Sequence, residues 1–352
     1  MLPTVPVHIL AGFLGSGKTT LLTQALDYYK QLGKKPAVLM NEIGDVNLDG
    51  MLVDGDVPMT EMLSGCICCT IRGDLGLEIR NLVQESSPDV IFIEATGVAN
   101  PLEIIDGVTD ASLLAAIELK SVVTVIDAAH LLGQMQHGKG KTFKLMQEQI
   151  RCASVILLNK TDLVAPHDLK LLEKQIREWN EYAPIEGTVM CHTDIAMFDR
   201  LGNGGSLPRP DKGEEREDHA CGPGCSHEHH HHDDSAAEHR HDPSSEHDAH
   251  TKAHAHHTHD HVMAYTHYFA GPIDSLKFEE LLSRLPQEVY RAKGILRFTD
   301  TASRFMFQFA YREADFMKIT PQGDVPDVAV FIGEHFSKEE IRSQLLALEG
   351  RE

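Results

Sequence analysis

The stretch "GFLGSGKTT" at residues 12–20 constrains the fold more than any other part of this chain. It fits the pattern G-x-x-x-x-G-K-[ST], follows the apolar run "VHILA", and opens a stretch with helical hydrophobic spacing. In this strand–loop–helix order, backbone N–H groups and a helix N-terminus surround phosphate groups. The sequence therefore predicts a phosphate-binding loop at the carboxyl end of a buried strand.

The residues of this loop have separate predicted roles. Glycine lets the backbone approach phosphates without Cβ interference, and Lys18 is predicted to reach the β and γ phosphates and to act in catalysis. Thr19 is predicted to hold Mg²⁺ through its hydroxyl. The residues predicted to bind nucleotide in this loop are Gly12, Gly15, Ser16, Gly17, Lys18, Thr19 and Thr20.

Short apolar runs and amphipathic stretches alternate from Val5 to about Cys191. This alternation is typical of βαβ units on a buried parallel sheet, because strands covered on both faces are apolar throughout. The predicted strands are Pro6 to Ala11, Pro36 to Met40, Asp89 to Ile93, Ser121 to Ile126, Ser154 to Leu158 and Gly187 to Cys191. A helix is predicted over Thr19 to Tyr29. The predicted fold class is α/β with a mostly parallel sheet.

Two further regions differ in composition from this first one. Residues 202–261 lack hydrophobic periodicity and hold 15 of the 22 histidines of the chain, which predicts a disordered linker that collects metal ions on imidazoles. A solubilising spacer with incidental histidines is the alternative. Periodicity returns after Val262 and predicts a small α+β domain ending in a helix near Lys338 to Leu348. The predicted domains are thus 1–201, 202–261 and 262–352.

Charge and composition exclude several classes of partner. A net charge of −21 over 352 residues repels nucleic acid and anionic lipid and favours cations, including metal ions. The first thirty residues have no leader pattern, and eighteen apolar residues never run together, so we expect a cytoplasmic protein with no membrane or nucleic-acid partner. In that reducing compartment, clustered cysteines indicate metal or redox chemistry rather than disulfides.

The segment "LLNKTD", which follows the apolar run "SVILL", carries the evidence for the bound base. It contains N-K-x-D as Asn159, Lys160 and Asp162. The Asp162 carboxylate is placed to accept hydrogen bonds from guanine N1–H and the 2-amino group, and adenine offers neither donor. Sites built to pair a polar group reject analogues that lack it. The motif therefore predicts that the loop binds GTP and GDP.

Acidic residues near the ends of two predicted strands are the Mg²⁺ candidates. Glu94 ends the apolar run in "DVIFIEATG", and ligands of open α/β sheets bind outside the carboxyl ends of the strands, so we assign it a catalytic and Mg²⁺-binding role. The segment "NEIGDVNLDG" at 41–50 is where a nucleotide-sensing switch is expected, with Asp49 as a further Mg²⁺ ligand. For Asp45 a plain solvated acidic loop is the alternative.

The stretch "SGCICCT" at residues 64–70 places Cys66, Cys68 and Cys69 within four positions. Three thiolates favour Zn²⁺ or Cu(I), and tetrahedral zinc needs one more ligand, for which Glu42, a mobile histidine or water are the candidates. Since the stretch lies between the predicted switch and Glu94, it is expected near the γ-phosphate as an open, transfer-competent site. Buried or redox-active cysteines are the alternative.

These motifs, in this order and spacing, resemble those of the CobW-type P-loop GTPases: residues 12–20, "NEIGDVNLD", "GCICC" at 65–69, "EATG" at 94–97 and "NKTD" at 159–162. The resemblance is strong over about the first 200 residues, and the segment from 262 onward resembles the C-terminal domain of that family loosely. Membership implies a GTPase that converts GTP to GDP and phosphate and delivers metal to a client metalloprotein, with the C-x-C-C thiols carrying the ion. No residue stands out as a general base, so a slow intrinsic rate is expected.

The motifs leave the metal and the client open. Zn²⁺ is the expected cargo and Co²⁺ an alternative, because imidazole and thiolate sites accept both and availability decides. The alternative functions are a cobalt chaperone for cobalamin synthesis, an iron or cobalt chaperone of the nitrile hydratase type, and a metal-buffer or redox-regulatory protein. The expected partner is a client metalloprotein, and a homodimer is left open.

Overall fold

The computed structural model describes residues 4–42, 57–63, 71–137, 140–202, 262–321 and 325–350. Asp45, Asp49, the three clustered cysteines and residues 203–261 of the predicted histidine-rich linker lie outside these residues. Glu42 lies inside them as the last residue of a strand.

The first part of the chain forms a parallel sheet with helices between its strands. Its strands are β1 (Val5–Ala11), β2 (Pro36–Glu42), β3 (Met59–Leu63), β4 (Val90–Ala95), β5 (Ile117–Asp127), β6 (Val155–Asn159) and β7 (Ile185–Gly187). The helices are α1 (Lys18–Gln31), α2 (Ile71–Ser86), α3 (Pro101–Ala111), α4 (Ala128–His137), α5 (Lys141–Arg151), α6 (Pro166–Trp179) and α7 (Met197–Gly202). The predicted α/β class with a mostly parallel sheet is confirmed.

The strand order β3-β2-β4-β1-β5-β6-β7 puts β1 between β4 and β5. All neighbouring pairs are parallel, and Leu10 of β1 lies opposite Glu94 of β4 and Val123 of β5. Because parallel strands end at the same edge of the sheet, the loops that follow β1, β4 and β5 meet there. This edge carries the glycine-rich loop.

Successive residues of the central strands face two different apolar clusters. Val7 and Ile9 of β1 belong to the cluster that includes residues of α2 and α3, and Leu10 belongs to the cluster built around α1. All three are fully buried. Strands covered on both faces need apolar residues at every position, which explains why their sequences lack alternation.

The structure differs from the sequence prediction at two strands. The predicted strand Gly187 to Cys191 is wrong: β7 covers Ile185–Gly187, and the chain then turns because Met190 and Cys191 have φ of 54° and 55°, in the left-handed region. Strand β3 was not predicted, since "MTEML" is short and mixes polar with apolar residues. It pairs with β2 at one end of the sheet order.

A second, antiparallel sheet follows after Val262. Its elements are β8 (Val262–Tyr268), α8 (Ser275–Ser283), β9 (Val289–Arg297), β10 (Arg304–Ala310), β11 (Glu313–Ile319), β12 (Val328–Glu334) and α9 (Lys338–Leu348). The strand order is β11-β10-β9-β12-β8. Asp274 caps α8 and Ser337 caps α9, each accepting from a backbone N–H three residues on. The predicted α+β domain and its last helix are confirmed.

The two faces of the second sheet have different partners. One face packs under α8 and α9 around an aromatic cluster that includes Phe278, Phe307 and Phe331. The other contributes Val330 and Ile332 to the cluster that holds α2, α3 and β1. The described residues of both sheets therefore share a core and belong to one compact unit.

The hydroxyl of Tyr268 is a polar contact within this shared core. It accepts a hydrogen bond from Ile117 N–H at 3.0 Å and lies 2.8 to 3.1 Å from the carbonyl oxygens of Ser112, Ala115 and Ile117. Burial raises the pKa of this phenol. The second sheet is thus held against the start of β5 by hydrogen bonds as well as by apolar contact.

The helices of the described ranges are too short or too polar to cross a bilayer. None of them combines the length and the apolar character that a bilayer crossing requires.

Candidate nucleotide site and the neighbouring cysteine segment

The glycine-rich loop connects the buried end of β1 to the first turn of α1. Gly12, Gly15 and Gly17 have φ of 132°, 73° and 119°. A Cβ at Gly12 would lie 2.1 Å from the carbonyl oxygen of Val125 in β5, so a larger residue does not fit there. The loop conformation therefore requires the glycine that the sequence motif supplies.

The amino end of α1 points its first N–H groups into this loop. Gly17 is the N-cap residue and has no side chain to accept from them, and the first turn contains no acidic residue. Thr20 lies in this turn, directly after Lys18 and Thr19. Uncapped N–H groups and the helix dipole favour an anion at this position, which is what a phosphate-binding loop needs.

Ser16 and Lys18 add two buried polar groups to the loop. Ser16 is fully buried, and its hydroxyl has no hydrogen-bond partner among the described residues. Lys18 is 6% exposed, and its Nζ donates to the carbonyl of Phe13 at 3.3 Å. A buried hydroxyl without a described partner and a positive charge in the same glycine-rich loop fit a polyanionic ligand, because burying an unpaired hydroxyl costs free energy and a cation attracts phosphate.

Thr19 and Glu94 come together at the edge of the sheet. The Thr19 hydroxyl donates to Oε1 of Glu94 at 2.8 Å, and Glu94 is 6% exposed near the end of β4. A hydroxyl and a carboxylate are the hard oxygen ligands that Mg²⁺ prefers. Two of the three residues that the sequence assigned to Mg²⁺ are therefore neighbours in the structure, 75 residues apart in the chain, and the third, Asp49, lies outside the described residues.

Asn159 joins the end of β6 to the glycine-rich loop. Its Nδ2 donates to the carbonyl of Ser16 at 2.8 Å, and its Oδ1 accepts from the backbone N–H of Cys191 at 2.9 Å and from the Thr188 hydroxyl at 3.2 Å. The side chain is buried and all three contacts are within the protein. Asn159 thus acts as a brace between the phosphate loop and the loop after β7.

Lys160 makes a second link to the phosphate loop. Its φ is 60°, and its Nζ donates to the carbonyl of Gly15 at 2.8 Å and to Oδ2 of Asp127 at 2.7 Å. Burial opposes ionisation of Asp127, but the hydrogen bond and the charge of Lys160 outweigh it and lower the pKa of that carboxyl. Asp162 lies two residues on, in a 3₁₀ turn, and is exposed at the rim.

Sequence reasoning missed Asp127 and Cys191. Asp127 is the last residue of β5, and Glu94 is the last but one of β4. An acidic residue at the end of an apolar run therefore could have identified Asp127, as it identified Glu94. Cys191 gave no signal, because its role depends on contacts across the fold: its buried thiol donates to the carbonyl of Gly17 at 3.3 Å, 174 residues away. Burial raises the pKa of this thiol to about 11.

The cysteine segment lies between two described elements, although its own residues lie outside the described ranges. It follows Leu63, the last residue of β3, and precedes Ile71, the first residue of α2. Leu63 pairs with Glu42, and Met40 of the same strand pairs with Glu94. Strands β2, β3 and β4 therefore end at one edge of the sheet. The predicted switch segment follows β2 in the chain, and the cysteine segment follows β3.

The two sheets and their helices carry further His, Cys, Asp and Glu side chains. Within the described ranges, no three His, Cys, Asp or Glu side chains form a group suited to hold a metal ion. Cys152 is buried, and burial raises the pKa of its thiol to about 12, which disfavours the thiolate that metals require.

A glycine-rich loop joins a central parallel strand to a helix that begins with Lys18, and a hydroxyl and a carboxylate suited to Mg²⁺ lie beside it. These features define the first sheet and its helices as a P-loop nucleotide-binding domain. Residues 6–186 match the family model described as "CobW/HypB/UreG, nucleotide-binding domain". The chain belongs to this family. Residues 262–349 match a second model, described as the cobalamin synthesis protein cobW C-terminal domain.

Curated proteins and solved structures that match this chain include GTPases and zinc chaperones. The chain is 36% identical to a zinc-regulated GTPase metalloprotein activator 1 of Dictyostelium discoideum, over 51% of this chain and 44% of the relative. It is 32% identical to the zinc chaperone YeiR of Escherichia coli, over 47% of this chain and 50% of the relative. The crystal structure of Zn(II)-bound YjiA GTPase from E. coli is 22% identical over 99% of both chains, with a TM-score of 0.41. The chain thus spans about half the length of the curated relatives it matches.

Proposed function

We propose that the protein is a GTP-hydrolysing metallochaperone that delivers Zn²⁺ to a client metalloprotein in the cytoplasm. The observation that carries the proposal is the common sheet edge. The phosphate loop, the Thr19–Glu94 pair and the strands that lead into the switch and cysteine segments all end there. Relatives named as zinc chaperones and as a zinc-regulated GTPase metalloprotein activator support zinc as the cargo.

Guanine recognition is assigned to Asn159, the last residue of β6, and to Lys160 and Asp162, which follow it. Asn159 and Lys160 hold the phosphate loop through the carbonyls of Ser16 and Gly15, and the exposed Asp162 is left to meet the base. Its carboxylate accepts the two donors that guanine presents. Adenine would cover the same carboxylate without donating to it, and the unpaired group would cost binding free energy.

Phosphate binding and hydrolysis are assigned to the loop and to α1. The first-turn N–H groups and Lys18 neutralise the phosphates, and Thr19 and Glu94, with Asp49 from the predicted switch, would hold Mg²⁺. Bound Mg²⁺ supplies charge neutralisation of the phosphate oxygens as the bond to the γ-phosphate breaks. Glu94, fixed by its contact with the Thr19 hydroxyl, orients groups around the third phosphate.

The cargo is assigned to the sulfur-rich segment, with Cys66, Cys68 and Cys69 as thiolate ligands and Glu42 as the fourth. Three thiolates and one carboxylate form a donor set that suits tetrahedral zinc. Since β2 and β3 lead from this edge into the switch and cysteine segments, a change of nucleotide acts on both. Metal affinity then depends on whether GTP or GDP is bound, and linkage makes the dependence reciprocal.

The test measures the Zn²⁺ affinity of the full chain by competition with a chromophoric chelator. It is done with GDP and with a non-hydrolysable GTP analogue, both with Mg²⁺. The two affinities are expected to differ by about 5- to 150-fold, the usual range of allosteric coupling. Equal affinities in the two states would contradict the proposed coupling.

A matched control separates the cysteine segment from the histidines of residues 202–261. The triple variant Cys66→Ser, Cys68→Ser, Cys69→Ser should lose the nucleotide-dependent part of zinc binding and keep the nucleotide-independent part. Its GTP hydrolysis without zinc should stay within about twofold of wild type, since the variant leaves the phosphate loop intact. Metal analysis of protein from zinc-limited and cobalt-supplemented cultures then decides between zinc and cobalt as cargo.

A further inference from the structure

Gln149 of α5 is a buried amide that lies outside every motif of the nucleotide site. It is 2% exposed, and its Nε2 donates to the carbonyl of Gly97 at 3.2 Å and lies 3.5 Å from the carbonyl of Ala99. Both carbonyls belong to the loop between β4 and α3. This loop begins directly after the strand that carries Glu94.

The loop held by Gln149 touches the phosphate loop on its other side. A Cβ at Gly97 would lie 2.4 Å from the backbone nitrogen of Leu14 and 2.8 Å from its Cα. Gly97 is therefore enclosed between the phosphate-loop backbone and the amide of Gln149. A side chain at Gly97 would therefore collide with the phosphate-loop backbone, and glycine allows the two loops to lie this close.

Gln149 is itself anchored to the rigid part of the sheet. Its own carbonyl accepts a hydrogen bond from the Thr124 hydroxyl at 2.8 Å, and Thr124 is buried in β5 next to β1. Phe13 of the phosphate loop and Gln149 line the same small cavity at the end of this strand. Gln149 thus ties the β4–α3 loop to β5, a strand inside the parallel sheet.

We propose, building on the GTP hydrolysis proposed above, that Gln149 is a positioning residue for this reaction. It sets the β4–α3 loop against the phosphate loop so that the site distinguishes a triphosphate from a diphosphate. The loop lies beside Leu14 and follows Glu94, so it borders the place of the third phosphate. GDP does not reach that place. Removing the amide should therefore weaken interactions made with the γ-phosphate and leave those made with the α and β phosphates unchanged.

The test compares Gln149→Met, which keeps the length and loses the donor, with wild type. The Kd for GDP should stay within about twofold, whereas the Kd for a non-hydrolysable GTP analogue should rise about five- to tenfold, the usual effect of one buried hydrogen bond with a partly unsatisfied acceptor. The kcat for GTP should fall by a similar factor or more. Gln175→Met, in α6, removes an amide whose hydrogen bond to Glu178 lies at the surface; it serves as the matched control and should leave all three constants unchanged.

A merely structural role predicts a different pattern. It would weaken GDP and the GTP analogue equally, in step with a loss of thermal stability, and that result would overturn the proposal, as would an unchanged ratio of the two affinities. If Gln149→Met fails to fold, Gln149→Asn, which keeps an amide but shortens its reach, takes its place. Hydrogen exchange of residues 96–100 in the wild-type protein gives an independent readout: protection should be greater with the analogue than with GDP, and equal protection would count against the proposal.

Discussion

Arg291 of β9 donates from one guanidinium nitrogen to both carboxylate oxygens of Asp106 in α3, at 3.0 Å each. Two positions along the same strand, Lys293 donates to the carboxylate of Asp110 and, at 3.2 Å, to the carbonyl of Asp106. Helix α3 directly follows the loop that Gln149 holds. Strand β9 of the C-terminal domain is therefore hydrogen-bonded to α3, the helix that follows the loop beside the predicted γ-phosphate position.

Asp110→Ala is expected to lower the free energy of unfolding by about 2 kcal/mol, because it leaves the largely buried ammonium of Lys293 without its carboxylate. Burial lowers the pKa of Lys293, and the carboxylate of Asp110 opposes this shift. The charged form of Lys293 therefore depends on Asp110. Urea denaturation measures the change. The double variant Asp110→Ala, Lys293→Met should cost less than Asp110→Ala alone, and additive costs would show that the two residues are not coupled.

His8 is expected to make the protein acid-labile. Burial, with a smaller contribution from Lys120, lowers the pKa of this imidazole to about 3, whereas unfolded histidine titrates near 6.5. Between these values the unfolded state binds a proton that the folded state does not, so stability is lost as the pH falls from 6.5 towards 3. The loss approaches about 1.4 kcal/mol for each pH unit.

The double variant His8→Leu, Ser121→Ala removes the imidazole and the hydroxyl that lies 2.7 Å from its Nδ1. The free energy of unfolding of the variant minus that of wild type should rise by about 3 kcal/mol as the pH falls from 6.5 to 4. His167, whose side chain is 90% exposed, provides the control: His167→Leu should leave the pH dependence unchanged. An identical acid profile for wild type and the double variant would show that His8 does not stay neutral when buried.

The central strands and the phosphate loop were predictable because each is determined locally. A strand covered on both faces is apolar at every position, and the loop follows one such strand with its glycines in fixed positions. The strand predicted at Gly187 to Cys191 was wrong for a tertiary reason. Its residues are strand-like in composition, but Cys191 turns inward to contact Gly17, and the left-handed backbone at Met190 and Cys191 ends the strand first.

The nucleotide site was predictable as a set of motifs, and its internal contacts were not. Nothing in the sequence indicates that Asn159 braces the carbonyl of Ser16 or that Gln149 reaches the carbonyl of Gly97, because the first pair is 143 and the second 52 residues apart. Such contacts depend on how the elements pack. The same holds for the ion pairs between α3 and β9, which join two separately predicted domains.

Cys191 is expected to make stability fall at alkaline pH. Burial raises the pKa of its thiol from 9.0 to about 11, so the unfolded state ionises first, and the stability present below pH 9 is lost between pH 9 and pH 11. The advantage of wild type over Cys191→Ala should shrink by about 2 kcal/mol from pH 8.5 to pH 10.5. Denaturation under reducing conditions measures it, and a constant difference would argue against a buried neutral thiol.

Thr19→Ala is expected to reduce Mg²⁺-dependent GTP hydrolysis by about 100-fold or more, since it removes the hydroxyl that contacts Glu94 and would hold the ion. Thr23→Ala is the matched control, because Thr23 lies one turn further along α1 and bonds only to the carbonyl of Thr19 among the described contacts. Steady-state kinetics over a range of Mg²⁺ concentrations measures both variants. Equal hydrolysis rates for Thr19→Ala and Thr23→Ala would contradict the assignment of Thr19 as a Mg²⁺ ligand.

Asp162→Asn is expected to change the preferred base from guanine to xanthine. In the proposed site the exposed carboxylate of Asp162 would accept from guanine N1–H and the 2-amino group, whereas an amide would donate to the 2-oxo group of xanthine. GTP affinity should fall by about 100-fold or more, and XTP affinity should rise, because the change both removes an acceptor and adds a donor. Asp168→Asn, six residues on in α6, is the control and should leave both affinities unchanged. Since Asn159 and Lys160 stay bonded to the phosphate loop in the variant, unaltered GTP turnover would mean that the base lies elsewhere and that these two residues serve only to brace the loop.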